Sequence, residues 1–273
     1  MKYTHAIVVR IPDTVQFSEK EKSTVNVALA KKQLEDLSES LRKSGVDIIE
    51  LAPEENCLQQ SLYAGDSAVV VSGTALVTRP KNVGSRDKEI SRILGELAWE
   101  VVETPETFNG KPVVLEGSDV LYTGREIFVG IRNRGTNIEG AFVVGRTFSD
   151  MNVVPITLPG DLPLKHYVSM ITTDVIAVGS SKDAEDVLHR IERQATFRYK
   201  TLTMQHDAAI NFLNVNDHVI YRQDAPDTRL QQLREPIKLW SVPANELIAL
   251  GDPVSRFCLL VRKLRTLRTI WEA

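Results

Sequence analysis

Cysteine is scarce in this sequence: Cys57 and Cys258 are the only two in 273 residues. Two thiols are too few for a disulfide framework, and they fit a reducing compartment. Neither sign of charge dominates, with 33 Lys and Arg against 36 Asp and Glu and a formal net charge of -3. That balance gives no global electrostatic case for nucleic acid or for an anionic membrane surface. No apolar run approaches the roughly 20 residues that span a bilayer. The opening Met1-Lys2-Tyr3-Thr4-His5 enters a strand-like segment without the apolar stretch and cleavage site of a secretory leader, so a cytoplasmic protein is expected. The histidines His5, His166, His189, His206 and His218 show no metal-ligand spacing, and neither metal nor cofactor is expected. What remains is an ordinary globular composition, 42% hydrophobic and 25% charged.

Short apolar strands alternate with amphipathic helices. Val27, Ala30, Leu34, Leu37 and Leu41 recur at helical spacing and stop at Gly45, before a strand-like segment over 46–51. Ser85 can cap a second helix with the face Ile90, Ile93, Leu94 and Leu97. Asn137 can cap a third, ending near Phe148, and Ser181 a fourth with Asp183 and Glu185 in its first turn. A shorter helix is expected around 228–233.

The strands between the helices resemble one another. Asp66, Asp119, Asp174, Asn211 and Arg256 each stand at the head of an apolar run, at intervals of roughly 35–55 residues. Strands apolar on both faces need cover on both sides, which the helices supply. Several such units around an axis would bring these heads together in a polar ring. The competing reading makes each acid a local cap for a turn.

The stretch Leu115-Glu116-Gly117-Ser118-Asp119-Val120-Leu121-Tyr122-Thr123-Gly124-Arg125-Glu126-Ile127-Phe128-Val129-Gly130 resembles the central motif of the dimethylarginine dimethylaminohydrolases. Thr78-Arg79-Pro80, Ser85-Arg86, Arg134 with Thr136-Asn137, Leu164-Lys165 and Ala177-Val178-Gly179-Ser180-Ser181 agree with the family in order along the chain. The resemblance implies the α/β pentein fold, a five-bladed propeller of ββαβ modules around a central polar channel, formed as one domain over 1–263. It further implies hydrolysis of methylated arginine to citrulline and an alkylamine. In that chemistry a cysteine thiolate attacks the guanidinium carbon, a histidine shuttles protons, and carboxylates hold the cation.

Tested residue by residue, the resemblance puts Arg256 at the nucleophile's position and Pro163 at the histidine's. A guanidinium stays protonated and cannot attack another. It would also repel a cationic substrate by about 4 kcal/mol at about 4 Å in an effective dielectric of about 20. Cys258, two residues along, lies roughly 6–7 Å away on the same strand face, and the alternative to a displaced nucleophile is a core thiol. His166 is the matching candidate base, set on the opposite face if the segment is a strand. Asp66 and Glu116 remain from the cation-holding acids, while Gly65 and Gln60 replace others. Arg86 and Arg134 match the arginines that hold the amino acid's carboxylate, against the alternative of solvated or capping arginines.

A basic amphipathic tail, 264–273, carries Leu264, Leu267 and Trp271 on one helical face, a candidate surface for a homodimer or a protein partner. The polar stretch 13–23 matches the family's lid. Three functions follow. The first is a non-hydrolytic relative that binds a small zwitterionic or anionic ligand or a protein. The second is an active hydrolase using Cys258 and His166. The third is a structural module whose cleft is filled by its own side chains, which Arg256 paired with Asp66 or Asp119 would indicate.

Overall fold

A computed structural model describes residues 2–17, 25–54, 57–81, 86–233 and 235–264. The first strand, β1 (His5–Val9), is buried from Ala6 to Val9, as an apolar run covered on both faces requires. Helix α1 (Val27–Lys43) begins at Asn26, whose side chain accepts the Leu29 amide. It ends before Gly45, which takes a φ of +80° that a side chain would resist. Leu37 and Leu41 are wholly withdrawn from water, each stabilising the fold by about 2 kcal/mol. Strand β2 (Asp47–Leu51) then returns parallel to β1.

The same unit recurs along the chain. The next blade is β3 (Ala68–Val71), β4 (Thr74–Val77), α2 (Asp87–Leu97) and β5 (Glu100–Glu103). A small hairpin of β6 (Thr107–Phe108) and β7 (Lys111–Pro112) leads into β8 (Val120–Tyr122), β9 (Glu126–Ile131), α3 (Ile138–Thr147) and β10 (Asn152–Thr157). After a single helical turn, α4 (Leu164–Tyr167), come β11 (Val168–Thr172), β12 (Val175–Val178), α5 (Lys182–Gln194) and β13 (Lys200–Thr203). The last full pass is β14 (Leu213–Val215), β15 (His218–Arg222) and β16 (Lys238–Val242). A 3-10 turn at Leu230–Gln232 replaces the short helix expected there. Helix α6 (Asn245–Leu250) packs on α1 and precedes β17 (Cys258–Val261).

Each blade is a three-stranded sheet in which the first strand runs antiparallel to the middle one and the third runs parallel to it. The blade containing β1 and β2 takes its first strand from the far end of the chain: β17 pairs antiparallel with β1, His5 opposite Val261. That pairing closes the circle. The five first strands β17, β3, β8, β11 and β14 face the axis, and together they line a central channel.

Local chemistry holds where the sequence signals it. The Asn137 side chain accepts the Gly140 amide at 2.9 Å and starts α3. Ser181 accepts the Ala184 amide at 3.2 Å and starts α5. Ser85, residues 18–23 of the expected lid and residues 265–273 of the tail lie outside the described residues. Leu264, where the tail begins, donates its amide to the Leu97 carbonyl at 2.9 Å.

One repeat is displaced from its expected register. Val175–Val178 is β12, a middle strand, and Asp174 sits in the hairpin before it, exposed and ion-paired with Arg125 at 2.6 Å. The true first strand is β11, whose Ser169 and Thr172 face the channel and break the apolar run that marks its counterparts. His166 lies on α4 rather than on a strand, so the strand-parity argument does not apply to it.

Candidate functional site

A tight turn precedes each first strand: Ala64–Asp66 before β3, Gly117–Asp119 before β8, α4 before β11, Asp207–Ile210 before β14 and Val254–Phe257 before β17. These turns meet near the axis, closely enough to exclude side chains. A Cβ on Gly65 would lie 2.1 Å from the Ser255 carbonyl oxygen, and one on Gly117 would lie 2.1 Å from the Gly65 oxygen. Lys165 donates from Nζ to the Gly117 carbonyl at 3.0 Å. The touching backbones form a septum. Gly65, Gly117, Lys165 and Ser255 line the channel of about 400 Å³ on one side, whereas Asp66, Glu116 and Arg256 line a cleft of about 180 Å³.

The cleft is anionic by sequence and is neutralised from within. Arg256 leaves its turn with a side chain only 15% exposed and places Nε 2.8 Å from Asp66 Oδ2. Its Nη2 donates to Glu116 Oε2 at 3.2 Å, and its guanidinium carbon lies 4.9 Å from the centre of the Tyr63 ring. Asp66 is fixed in turn by the Ser118 amide, which donates to Oδ1 at 2.7 Å.

A second guanidinium completes the cluster. Arg132, with its side chain 5% exposed, donates from Nε to both oxygens of Asp119 at 3.0 Å and from Nη2 to Glu116 Oε2 at 2.5 Å. Its Nη1 donates to the Asp161 carbonyl at 2.7 Å. Asp119 also accepts the amides of Thr136 at 3.3 Å and Leu164 at 3.2 Å, tying its own blade to the next. Asp66, Glu116 and Asp119 set against Arg132 and Arg256 leave one formal negative charge.

Burial makes that charge expensive. Desolvation, followed by the Asp66 carboxylate, lifts Glu116 to about 7 against the pull of both guanidiniums. Burial also pushes Asp119 upward, and Arg132 offsets it only in part. For Arg256, burial opposes the charged form, yet Asp66, the Tyr63 phenol and Glu116 outweigh it, so the guanidinium is held more firmly charged than an ordinary arginine.

The other residues singled out by sequence are dispersed. Arg134 lines the cleft mouth with its side chain 74% exposed and its Nε 3.3 Å from Asp161. Arg86 precedes α2 and pairs with Glu89 at 2.5 Å; its Nε and Nη1 are buried without a partner among the described residues, and it does not line the cleft. Pro163 precedes α4, while His166 bonds through Nδ1 to Asp252, which also accepts from Asn211. Asn211 lines the channel and accepts the Val254 amide at 2.6 Å. Of the expected ring, Asp66, Asp119 and Arg256 share one cluster, and Asp174 stands outside it.

Cys258 is buried in the core, across the septum from the cleft, and burial pushes its thiol up to about 12 despite Lys165 nearby. Among the described residues no group of His, Cys, Asp and Glu is arranged to hold a metal ion, and no helix is long and apolar enough to cross a membrane.

Sequence reasoning missed Arg132 and Tyr63. The signal for Arg132 was Gly135, whose absent Cβ would lie 2.3 Å from the Arg132 guanidinium carbon: the loop wraps that group tightly.

No family model matches the chain. Homo sapiens DDAH2 is 30% identical over 275 residues, covering 94% of each chain, and the Bos taurus protein of the same name is 29% identical over the same span. Among solved structures, dimethylarginine dimethylaminohydrolase of Pseudomonas aeruginosa, a cysteine-to-serine mutant complexed with citrulline, superposes with a TM-score of 0.78. It is 20% identical and covers 95% of this chain and 100% of its own. The N-terminal domain of the cyanobacterial arginine dihydrolase ArgZ, bound to substrate, gives 0.75 at 15% identity over 95% of this chain and 98% of its own. With its five three-stranded blades arranged as a pentein propeller, the chain belongs to the dimethylarginine dimethylaminohydrolase family.

Proposed function

We propose that this chain is a non-hydrolytic member of its family, whose guanidinium-holding site is occupied by its own Arg256. One observation carries the reading: Arg256 ion-pairs with Asp66 at 2.8 Å and Glu116 at 3.2 Å while lying over the Tyr63 ring. Those are the contacts that would otherwise receive a substrate guanidinium. An incoming methylarginine would have to displace a tethered, permanently charged equivalent, and the group at the head of β17 cannot serve as nucleophile.

The displaced-site alternative finds little support. The Cys258 thiol, held near 12, is protonated at neutral pH and is buried in the core. His166 is engaged by Asp252. Arg256 paired with Asp66 plugs the cation-holding part of the cleft, as expected of the structural reading, and leaves binding to the space that remains. The space left open in the cleft, between Gln59, Gln60, Pro80 and the exposed Arg134, suits a small anionic molecule better than a cation.

The test is direct. Purified protein incubated with asymmetric dimethylarginine or monomethylarginine yields no citrulline above the buffer control, and Cys258→Ser leaves that result unchanged. Citrulline production that Cys258→Ser abolishes would overturn the reading.

A further inference from the structure

Beyond the closing strand β17 the chain leaves the first blade and crosses to the second. Lys263 donates its amide to the Thr4 hydroxyl at 2.7 Å, and Leu264 donates its own to the Leu97 carbonyl at 2.9 Å. Leu97 is the last residue of α2, so Leu264 satisfies one of the carbonyls that a helix C-terminus leaves open. Its side chain meets the indole of Trp99 above Gly73: a Cβ on that glycine would lie 2.5 Å from Leu264 Cδ1 and 2.6 Å from Trp99 Cδ1.

The surface around this junction is bare and acidic. Trp99 is 70% exposed, more than any other large apolar side chain among the described residues. Glu96 and Glu100 stand on either side of it in sequence; both are exposed, and neither forms an ion pair among the described residues. Glu100 accepts only from the Thr74 hydroxyl, at 3.5 Å. Glu96 lies in the last turn of α2, which has no basic residue, so its charge adds to the negative end of the helix dipole instead of offsetting it.

The sequence after Leu264 is complementary to both features. Leu264, Leu267 and Trp271 fall at helical spacing, and the first of them already touches the space beside the indole. Arg265 and Arg268 supply the cations that this helix end lacks. At a helical rise of about 1.5 Å per residue, Trp271 comes within about 10 Å of Leu264 along the axis. Tethered at the edge of the patch, the segment meets it at a high effective concentration.

We propose that residues 265–271 dock on the C-terminal end of α2 of their own chain, with Leu267 and Trp271 covering Trp99 and with Arg265 and Arg268 meeting Glu96 and Glu100. The tail is then a strap that fastens the closing strand of the first blade to the second, and it is not free for a partner. The inference stands whether or not the cleft binds a ligand.

Hydrogen exchange of the full chain at low ionic strength, read by mass spectrometry on the C-terminal peptide, tests it. The amides of 265–271 should exchange about tenfold more slowly in the wild type than in Trp99→Ala, at every protein concentration. The paired reversal Glu96→Lys and Glu100→Lys should lose the same protection, and added sodium chloride should erode it in the wild type. Should Trp99→Ala loosen its blade, seen as faster exchange in β4, the charge-reversal variant decides. A wild-type tail that exchanges as fast as an unstructured peptide overturns the proposal. So does protection that survives the charge reversal, and so does protection that grows with protein concentration, which would seat the tail on a second copy.

Discussion

Arg256 and Asp66, on turns that head two different blades, form an ion pair with Nε 2.8 Å from Oδ2. Asp66 is itself held by the Ser118 amide of a third blade at 2.7 Å. The guanidinium is thus oriented by groups that are already fixed, and Glu116 couples it to the second guanidinium, Arg132. Pairs of this kind are strongly destabilising to break, because the surviving partner is left buried and uncompensated.

Glu116 is where the cluster responds to pH. Its carboxyl, lifted from 4.5 to about 7 chiefly by burial and then by Asp66, keeps a proton in the folded chain that the unfolded chain releases. A folded pKa above the unfolded one contributes stability that is fully present below about pH 4.5 and is lost as pH rises through about 7. Across that window the change is on the order of 3 kcal/mol. Urea unfolding of the wild type and Glu116→Gln at matched pH should show the wild type losing stability relative to the variant as pH rises. A difference independent of pH would contradict this account of Glu116.

Asp119 and Asp174, both placed in the ring by sequence, should now behave differently. Asp119→Ala strips Arg132 of one partner and leaves the Thr136 and Leu164 amides without an acceptor. The expected loss is about 3–5 kcal/mol in chemical denaturation. Asp174→Ala removes an exposed pair with Arg125, so a loss of about 0–1 kcal/mol is expected. Equal losses would return Asp174 to the ring.

The Cys258 thiol should be inert. With its pKa pushed up to about 12, native protein at about pH 8 should react with iodoacetamide at Cys258 on the order of a thousandfold more slowly than a free cysteine peptide. In denaturant the two rates converge. Rapid alkylation of the native chain would reopen the case for a displaced nucleophile.

Much of the fold was legible because its signals are local. The Asn137 and Ser181 caps, the Gly45 stop and the apolar runs of β3 and β17 each sit within a few residues of what they determine. Repetition of those runs grouped Arg256 with Asp66, Asp119, Asp174 and Asn211, of which Asp66 and Asp119 share its cluster. The register failed at α4 and β11, where a strand facing a polar channel carries Ser169 and Thr172 and loses its apolar signature. Arg132 was passed over for Arg134, which stands nearer the Thr136-Asn137 pair that carries the resemblance. Which of the two turns inward is decided by the path of the chain past Gly135, and neither charge nor periodicity reports that. The bond of His166 to Asp252 likewise arises only when the circle closes.

Removing Arg256 and offering its head group back tests the central claim most directly. Arg256→Ala leaves Asp66 without its guanidinium and Glu116 with Arg132 alone, lowering stability by about 3–5 kcal/mol. If the site is a guanidinium site occupied from within, low millimolar guanidinium or methylguanidinium should raise the Tm of the variant saturably and leave the wild type unmoved. A variant that gains nothing from either cation, or a wild type that itself shows a saturable shift with dimethylarginine, would contradict the claim that Arg256 fills this cleft.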